Sequence, residues 1–196
     1  MRLVLASASP RRAEILRNAG IAFDVQAALI DEAPRAGELA GDYVRRLAFE
    51  KARAAANEIA ERQGTSDDTI FIGADTTVVV DGEIFGKPES EVDAQRMLRL
   101  LSGRVHEVHT GLAVVRSPGA WERVAEEITR VTFAKISDEE VESYIATGEP
   151  FGKAGGYAVQ GLAGRYVTRI EGCYFNVVGL PLALLYSMLR ETGWSG

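Results

Sequence analysis

Apolar residues along the chain recur with two periods. Leu3-Val4-Leu5-Ala6 is a short apolar run that predicts a buried strand. Ala13, Ile15, Leu16 and Ala19 follow at helical spacing and stop at Gly20. Phe23-Asp24-Val25 predicts a second short strand, leading to an acidic turn at Asp31-Glu32. Residues 42–62 predict a long helix, because 100° steps put Val44, Leu47, Ala48, Ala55 and Ile59 on one arc. A polar connection at residues 63–68 separates it from Thr69 to Val80, a β-branched run closed by the hairpin pair Asp81-Gly82. The hairpin returns through Ile84-Phe85-Gly86-Lys87-Pro88.

The second half continues in kind. Ser90 and Asp93 open a helix that ends at Ser102-Gly103. Strands are expected at about 105–116 and 121–134, joined by Ser117-Pro118-Gly119. Ser137-Asp138-Glu139-Glu140 is a capping box for a helix running to Gly148. Tyr166 to Ile170 and Tyr174 to Val178 read as a closing hairpin, and Pro181 to Arg190 as a last apolar helix. Strands and helices in this mixture predict an α/β fold. No repeat or linker divides it, so a single domain over residues 1–196 is expected.

Composition narrows the classes. A net charge of −6 disfavours nucleic acid and anionic membrane as partners. Arg2 and Ala6-Ser7-Ala8 imitate an export signal, but the apolar run between them is too short for one. The longest apolar stretch, Val177 to Leu189, is too short to span a bilayer. The one cysteine, Cys173, forms no internal disulfide and reads as a small core residue, which suits a cytoplasmic protein.

Against that background several polar residues stand where pattern alone would not put them. Ser9 suits the N-cap and Pro10 the first helical position, but Arg11 and Arg12 place two cations in a first turn that already carries positive partial charge. Either both splay into solvent or an anion lies among them; strand, tight turn and helix N-terminus together suit phosphate. Lys51 falls inside the apolar arc of the long helix, so its stem either snorkels to the rim or its ammonium faces a cleft. Asp75 interrupts a strand behind Gly73 and Ala74, two small residues that leave space for a ligand; a wet bulge is the plainer alternative. Ideal hairpin register sets Lys87 opposite Thr76, and a bulge at Gly86 would bring it to the carboxylate's side. His106 and His109 point to opposite faces of a strand, cannot share a metal, and read as sheet-surface residues. Gly152, Gly155, Gly156, Gly161 and Gly164 surround Lys153, Tyr157 and Gln160 and keep the backbone close to a ligand or another strand.

Cations (Arg11, Arg12, Lys51, with Lys87 and Lys153 as further candidates) alongside the carboxylates Glu32 and Asp75 suit phosphoanhydride or phosphate-ester chemistry aided by Mg²⁺ or Mn²⁺. The sequence also resembles the Maf-like nucleoside triphosphate pyrophosphatases nearly end to end. The likeness rests on Ser7-Ala8-Ser9-Pro10-Arg11-Arg12, Asp31-Glu32, Leu47-Ala48, Lys51-Ala52, Gly73-Ala74-Asp75-Thr76 and Gly86-Lys87-Pro88. It continues in Lys153-Ala154-Gly155, Gln160-Gly161 and Val178-Gly179-Leu180-Pro181.

The resemblance implies a Maf/ITPase-like fold: a mixed, elongated β-sheet flanked by helices, with two lobes around a central cleft. It implies metal-dependent hydrolysis of a nucleoside triphosphate to the monophosphate and pyrophosphate. Asp75 would accept the proton, and Glu32 and Asp75 would hold the metal. Ser7, Arg11, Arg12, Lys51, Lys87, Thr76 and Gln160 would bind substrate. Arg11, Thr76 and Gln160 match the pattern of members acting on dTTP and UTP, whereas relatives acting on 7-methyl-GTP carry an acidic residue in place of this glutamine. One glutamine amide meets the N3–H and O4 of thymine or uracil bidentately. The same chemistry on a modified nucleotide, and a nucleotide-binding regulator of septation that needs no hydrolysis, are the alternatives. The expected partner is a nucleoside triphosphate, and a homodimer is left open.

Overall fold

A computed structural model describes residues 1–63, 68–119 and 121–196. The expected polar connection therefore lies mostly outside the described residues. Seven strands form one mixed sheet: β1 (Arg2–Leu5), β2 (Asp24–Val25), β3 (Thr69–Val80), β4 (Glu83–Phe85), β5 (Val105–Ser117), β6 (Glu122–Phe133) and β7 (Val167–Glu171). Their order is β2-β1-β3-β5-β6-β7, with β4 paired to β3. The helices are α1 (Pro10–Asn18), α2 (Ala40–Gln63), α3 (Glu91–Leu101), α4 (Asp138–Ala146), α5 (Tyr174–Val178) and α6 (Leu182–Glu191). No helix among the described residues is long and apolar enough to cross a membrane.

The chain divides into two compact units. The first holds residues 1–75, 110–127 and 179–196; the second holds 76–109 and 128–178. In the first, β1 lies parallel to both β2 and β3, as the crossovers through α1 and α2 require. Its core includes Val4, Ala48, Ala52, Ala55, Phe71, Ala113 and Val115. Alanine dominates the α2 side of that core because the helix lies very close to the sheet. A Cβ on Gly73 would stand 2.0 Å from the Ala48 carbonyl oxygen, and one on Gly111 2.0 Å from that of Val44. The space read above Gly73 is thus filled by helix backbone, not by a ligand.

In the second unit, β3 and β4 form the expected hairpin. Asp81 and Gly82 have φ of 51° and 81°, the two positive values that a type I′ turn needs. Capping proceeds as read at Ser90, whose hydroxyl accepts the Asp93 N–H, and at Ser137, where the reciprocal box with Glu140 forms. Ser9 differs: it occupies the N-cap of α1 but its side chain makes no capping bond. The Ser7 hydroxyl instead accepts the Ser9 N–H at 3.3 Å.

Two further expectations are corrected. Tyr174 to Val178 is a helix, and β7 pairs antiparallel with β6 instead. Gly172 turns the chain at φ +125°, where a Cβ would stand 2.9 Å from the Thr129 hydroxyl. That hydroxyl accepts the Cys173 N–H and donates to the Cys173 carbonyl, while Asn176 Nδ2 donates to Thr129 Oγ1 and the Val108 carbonyl. These long-range bonds hold the segment in a helical turn, and they leave Cys173 half-buried, not in the core.

The histidines are buried, not on the sheet surface. His106 Nε2 lies 2.7 Å from the Tyr157 hydroxyl, and its ring packs edge-on against Phe133. Burial pushes its pKa down to about 4. The folded value lies below the unfolded one, so the neutral ring stabilises the fold fully above about pH 6.5 and less as pH falls toward 4. Urea unfolding between those pH values should show stability falling by about 2–3 kcal/mol. His106→Gln should remove that slope from the wild-type curve; an unchanged slope would place the titrating group elsewhere.

Candidate active site

The first unit gathers most of the residues singled out in the sequence. Lys51 follows Ala48 by one helical turn, and Asp75 follows Gly73 by two strand residues, so the tight crossing at Gly73 carries both side chains to the same place. Lys51 Nζ donates to Asp75 Oδ1 at 2.7 Å and pairs with Glu32 Oε1 at 2.6 Å. The Lys51 and Asp75 side chains are only 11% and 12% exposed, while that of Glu32 is 44% exposed. An ammonium so enclosed requires close anionic partners. Of the two readings of Lys51, the inward one holds.

The loop bearing Glu32 has no regular structure. It is strapped to α2 instead. Tyr43 donates its hydroxyl proton to the Glu32 main-chain carbonyl at 3.0 Å. Arg46 donates to the Ala33 carbonyl and holds Glu38 through Nε and Nη2 at 2.6 and 2.7 Å. The bond from Arg46 is the main cause that draws the Glu38 carboxyl down to about 2. Burial first, then the negative charges of Asp75 and Glu32, push the Tyr43 phenol up to about 12. Sequence reasoning missed Tyr43 and Arg46 as supports of the site. The available signal was a tyrosine and an arginine bracketing the start of the apolar arc.

Arg12 is almost fully buried. It donates through Nε to the Gly179 carbonyl at 2.7 Å, and through Nη1 to Ser7 Oγ at 2.9 Å and the Ala74 carbonyl at 2.8 Å. One guanidinium thus ties the end of β1, the residue before Asp75 and the approach to α6. Desolvation lowers its pKa; Asp75 opposes that shift, Arg11 adds to it and Glu32 opposes it. Arg11 is half-buried, makes no ion pair among the described residues, and has its own pKa lowered by desolvation. Ser7 is buried beside Arg12.

The remaining candidates belong to the second unit. Thr76 follows Asp75 on β3 and is half-buried. The β3–β4 ladder stops at Val78 opposite Phe85, and the Gly86 carbonyl turns away to accept the Gly155 N–H at 2.9 Å. The ladder thus keeps the ideal register as far as it runs, with no bulge in it, and ends before Lys87, which lies beyond it and exposed. Gln160 is exposed on a turn closed by the Gly161 N–H bonding the Ala158 carbonyl. Lys153 donates to the Glu149 carbonyl.

Among the described residues no group of three His, Cys, Asp or Glu side chains is placed to hold a metal. Glu32 and Asp75 nonetheless present hard oxygen donors around one cation. That donor set suits Mg²⁺ or Mn²⁺, which take one or two carboxylates and fill the remaining positions with phosphate and water.

A family model described as Maf-like protein matches residues 2–192. A dTTP/UTP pyrophosphatase of Koribacter versatilis (strain Ellin345) is 51% identical over 193 residues, covering 98% of this chain and 95% of that protein. One from Citrifermentans bemidjiense (strain ATCC BAA-1014 / DSM 16622 / JCM 12645 / Bem) is 53% identical over 194 residues, covering 99% and 97%. Among solved structures, the Staphylococcus aureus Ham1 protein aligns over 98% of this chain and all of its own, at 13% identity and a TM-score of 0.48.

Arg12→Lys tests whether charge or fork geometry matters at that position. Lysine cannot reach three oxygens in one plane. Urea unfolding should show a loss of about 2–3 kcal/mol, and a change under about 0.5 kcal/mol would contradict the bracket assigned to Arg12.

Proposed function

The chain belongs to the Maf-like protein family, and from that footing we propose that it hydrolyses nucleoside triphosphates, dTTP and UTP foremost, to the monophosphate and pyrophosphate. The observation that carries the proposal is the ion cluster in which Lys51 joins Glu32 to Asp75. Relatives about half identical in sequence bear the name dTTP/UTP pyrophosphatase, which supports the same substrates here.

Asp75 is the proton acceptor. Its Oδ1 is held by Lys51, which fixes the carboxylate's direction and leaves the second oxygen to take a proton from water. That water's oxygen bonds to the α-phosphorus as the bond from phosphorus to the bridging oxygen breaks, and pyrophosphate departs. Arg11 and Lys51 face the phosphates. Arg12 adds its charge while holding Ser7 in place, and Lys87 serves as a further cation. Three cations and two carboxylates in the first unit leave little net positive charge against a triphosphate. A divalent ion held by Glu32 and Asp75 would supply the missing neutralisation. Gln160 meets the N3–H and O4 of the pyrimidine, with Arg11 and Thr76 completing the base-selecting set.

Purified protein with Mg²⁺ or Mn²⁺ and a panel of separate triphosphates tests this reading. UTP and dTTP should yield monophosphate and pyrophosphate in equal amounts. Asp75→Asn, with folding verified, should lose about 10²–10⁴ in kcat while still binding nucleotide. Release of single phosphates, or near-normal turnover by Asp75→Asn, would overturn it.

A further inference from the structure

The Ala158–Gly161 turn, which carries Gln160, has little to hold it by itself. It is exposed and glycine-flanked, and the short 3₁₀ segment Leu162–Tyr166 that follows receives no side-chain cap from Gly161. The cap comes from elsewhere in the second unit. Glu149, just past the end of α4, brings its carboxylate beneath the turn. Oε2 accepts the Leu162 N–H at 3.0 Å, and Oε1 accepts the Ala163 N–H at 3.4 Å and the Tyr144 hydroxyl proton at 3.0 Å.

Two further contacts bear on that carboxylate. A Cβ on Gly161 would stand 2.3 Å from Glu149 Oε1, although its φ of −104° is open to any residue, so a side chain there would displace the carboxylate from its present bonds. Lys153 ties down the Glu149 main chain. The downstream flank of the turn is therefore anchored to one acid, which is itself held by a buried tyrosine. Burial alone would raise the Glu149 pKa, but bonds from Leu162, Tyr144 and Ala163 and the charge of Lys153 bring it below its ordinary value.

We propose that Glu149 is a positioning residue for base selection, setting through Tyr144 and the Leu162 and Ala163 amides the attitude in which Gln160 is presented to the pyrimidine. The proposal rests on the reading of Gln160 given under the proposed function. A bidentate amide contact tolerates little rotation, so a turn released from Glu149 loses the base contact before it loses the chemistry.

Steady-state kinetics on UTP and on 3-methyl-UTP, which keeps the triphosphate but lacks the N3–H, test this in the wild type, Glu149→Ala, Tyr144→Phe and Gln160→Ala. Thermal unfolding of each variant accompanies the kinetics. Glu149→Ala should raise KM for UTP about tenfold, the equivalent of one charged hydrogen bond, with kcat within about twofold. It should leave 3-methyl-UTP nearly unaffected. Tyr144→Phe keeps its ring against Tyr166 and should move the same ratio by about threefold; it carries the test should Glu149→Ala fail to fold. In Gln160→Ala, adding Glu149→Ala should cost no further selectivity. A folded Glu149→Ala that keeps the wild-type UTP preference, or that lowers kcat for both nucleotides alike, would overturn the proposal. An unchanged preference in Gln160→Ala would instead overturn the base contact itself, and the role of Glu149 with it, so the two failures read differently.

Discussion

The structure of the first unit depends on how closely α2 crosses the sheet. Gly73 and Gly111 present no side chains to the helix, and the Ala48 and Val44 carbonyls occupy the space that Cβ atoms would need. At that separation a lysine one turn past Ala48 reaches a carboxylate two residues past Gly73 with its ammonium still enclosed. A methyl group at either glycine would meet backbone, which cannot rotate aside, so the helix would have to lift away. The lysine would then lose its reach to Asp75. Packing and chemistry here are one arrangement: what seats the helix also assembles the charges.

Those charges support one another in sequence. Enclosing Lys51 is costly without anions, and Asp75 in mid-strand is costly without a cation. Glu32 completes the pair from a loop with no regular structure, held in place by Tyr43 and Arg46 on the same α2 that carries Lys51. Arg12 closes the arrangement from below, linking β1, the Ala74 carbonyl and the Gly179 carbonyl. A buried arginine bonded to the residue before Asp75 lies beside a carboxylate fixed by lysine.

Much of this was legible from local pattern. The apolar run before Ser7, the Asp81-Gly82 turn and the Ser137 capping box each follow from rules that operate within a few residues, while the arc of α2 marked Lys51 without deciding whether it points inward. What escaped was set by distant partners. Nothing near Gly73 announces that a helix rather than a ligand lies above it, because the clash belongs to Ala48. Tyr174 to Val178 has the aromatic and β-branched content of a strand, yet Thr129 and Val108 bind it as a helical turn. His106 alternates correctly along β5, but which sheet face is covered depends on Phe133 and Tyr157. Tyr43 and Arg46 matter through the loop they hold, and loops carry little periodic signal.

Lys51 and Asp75 act as one unit because α2 presses them together. A double-mutant cycle on UTP hydrolysis with Lys51→Met, Asp75→Asn and the combined variant measures this directly. Strong coupling is expected: once Asp75 is asparagine, removing Lys51 costs little more in kcat. Losses that multiply independently, each mutation costing as much in the other's background as in the wild type, would contradict it.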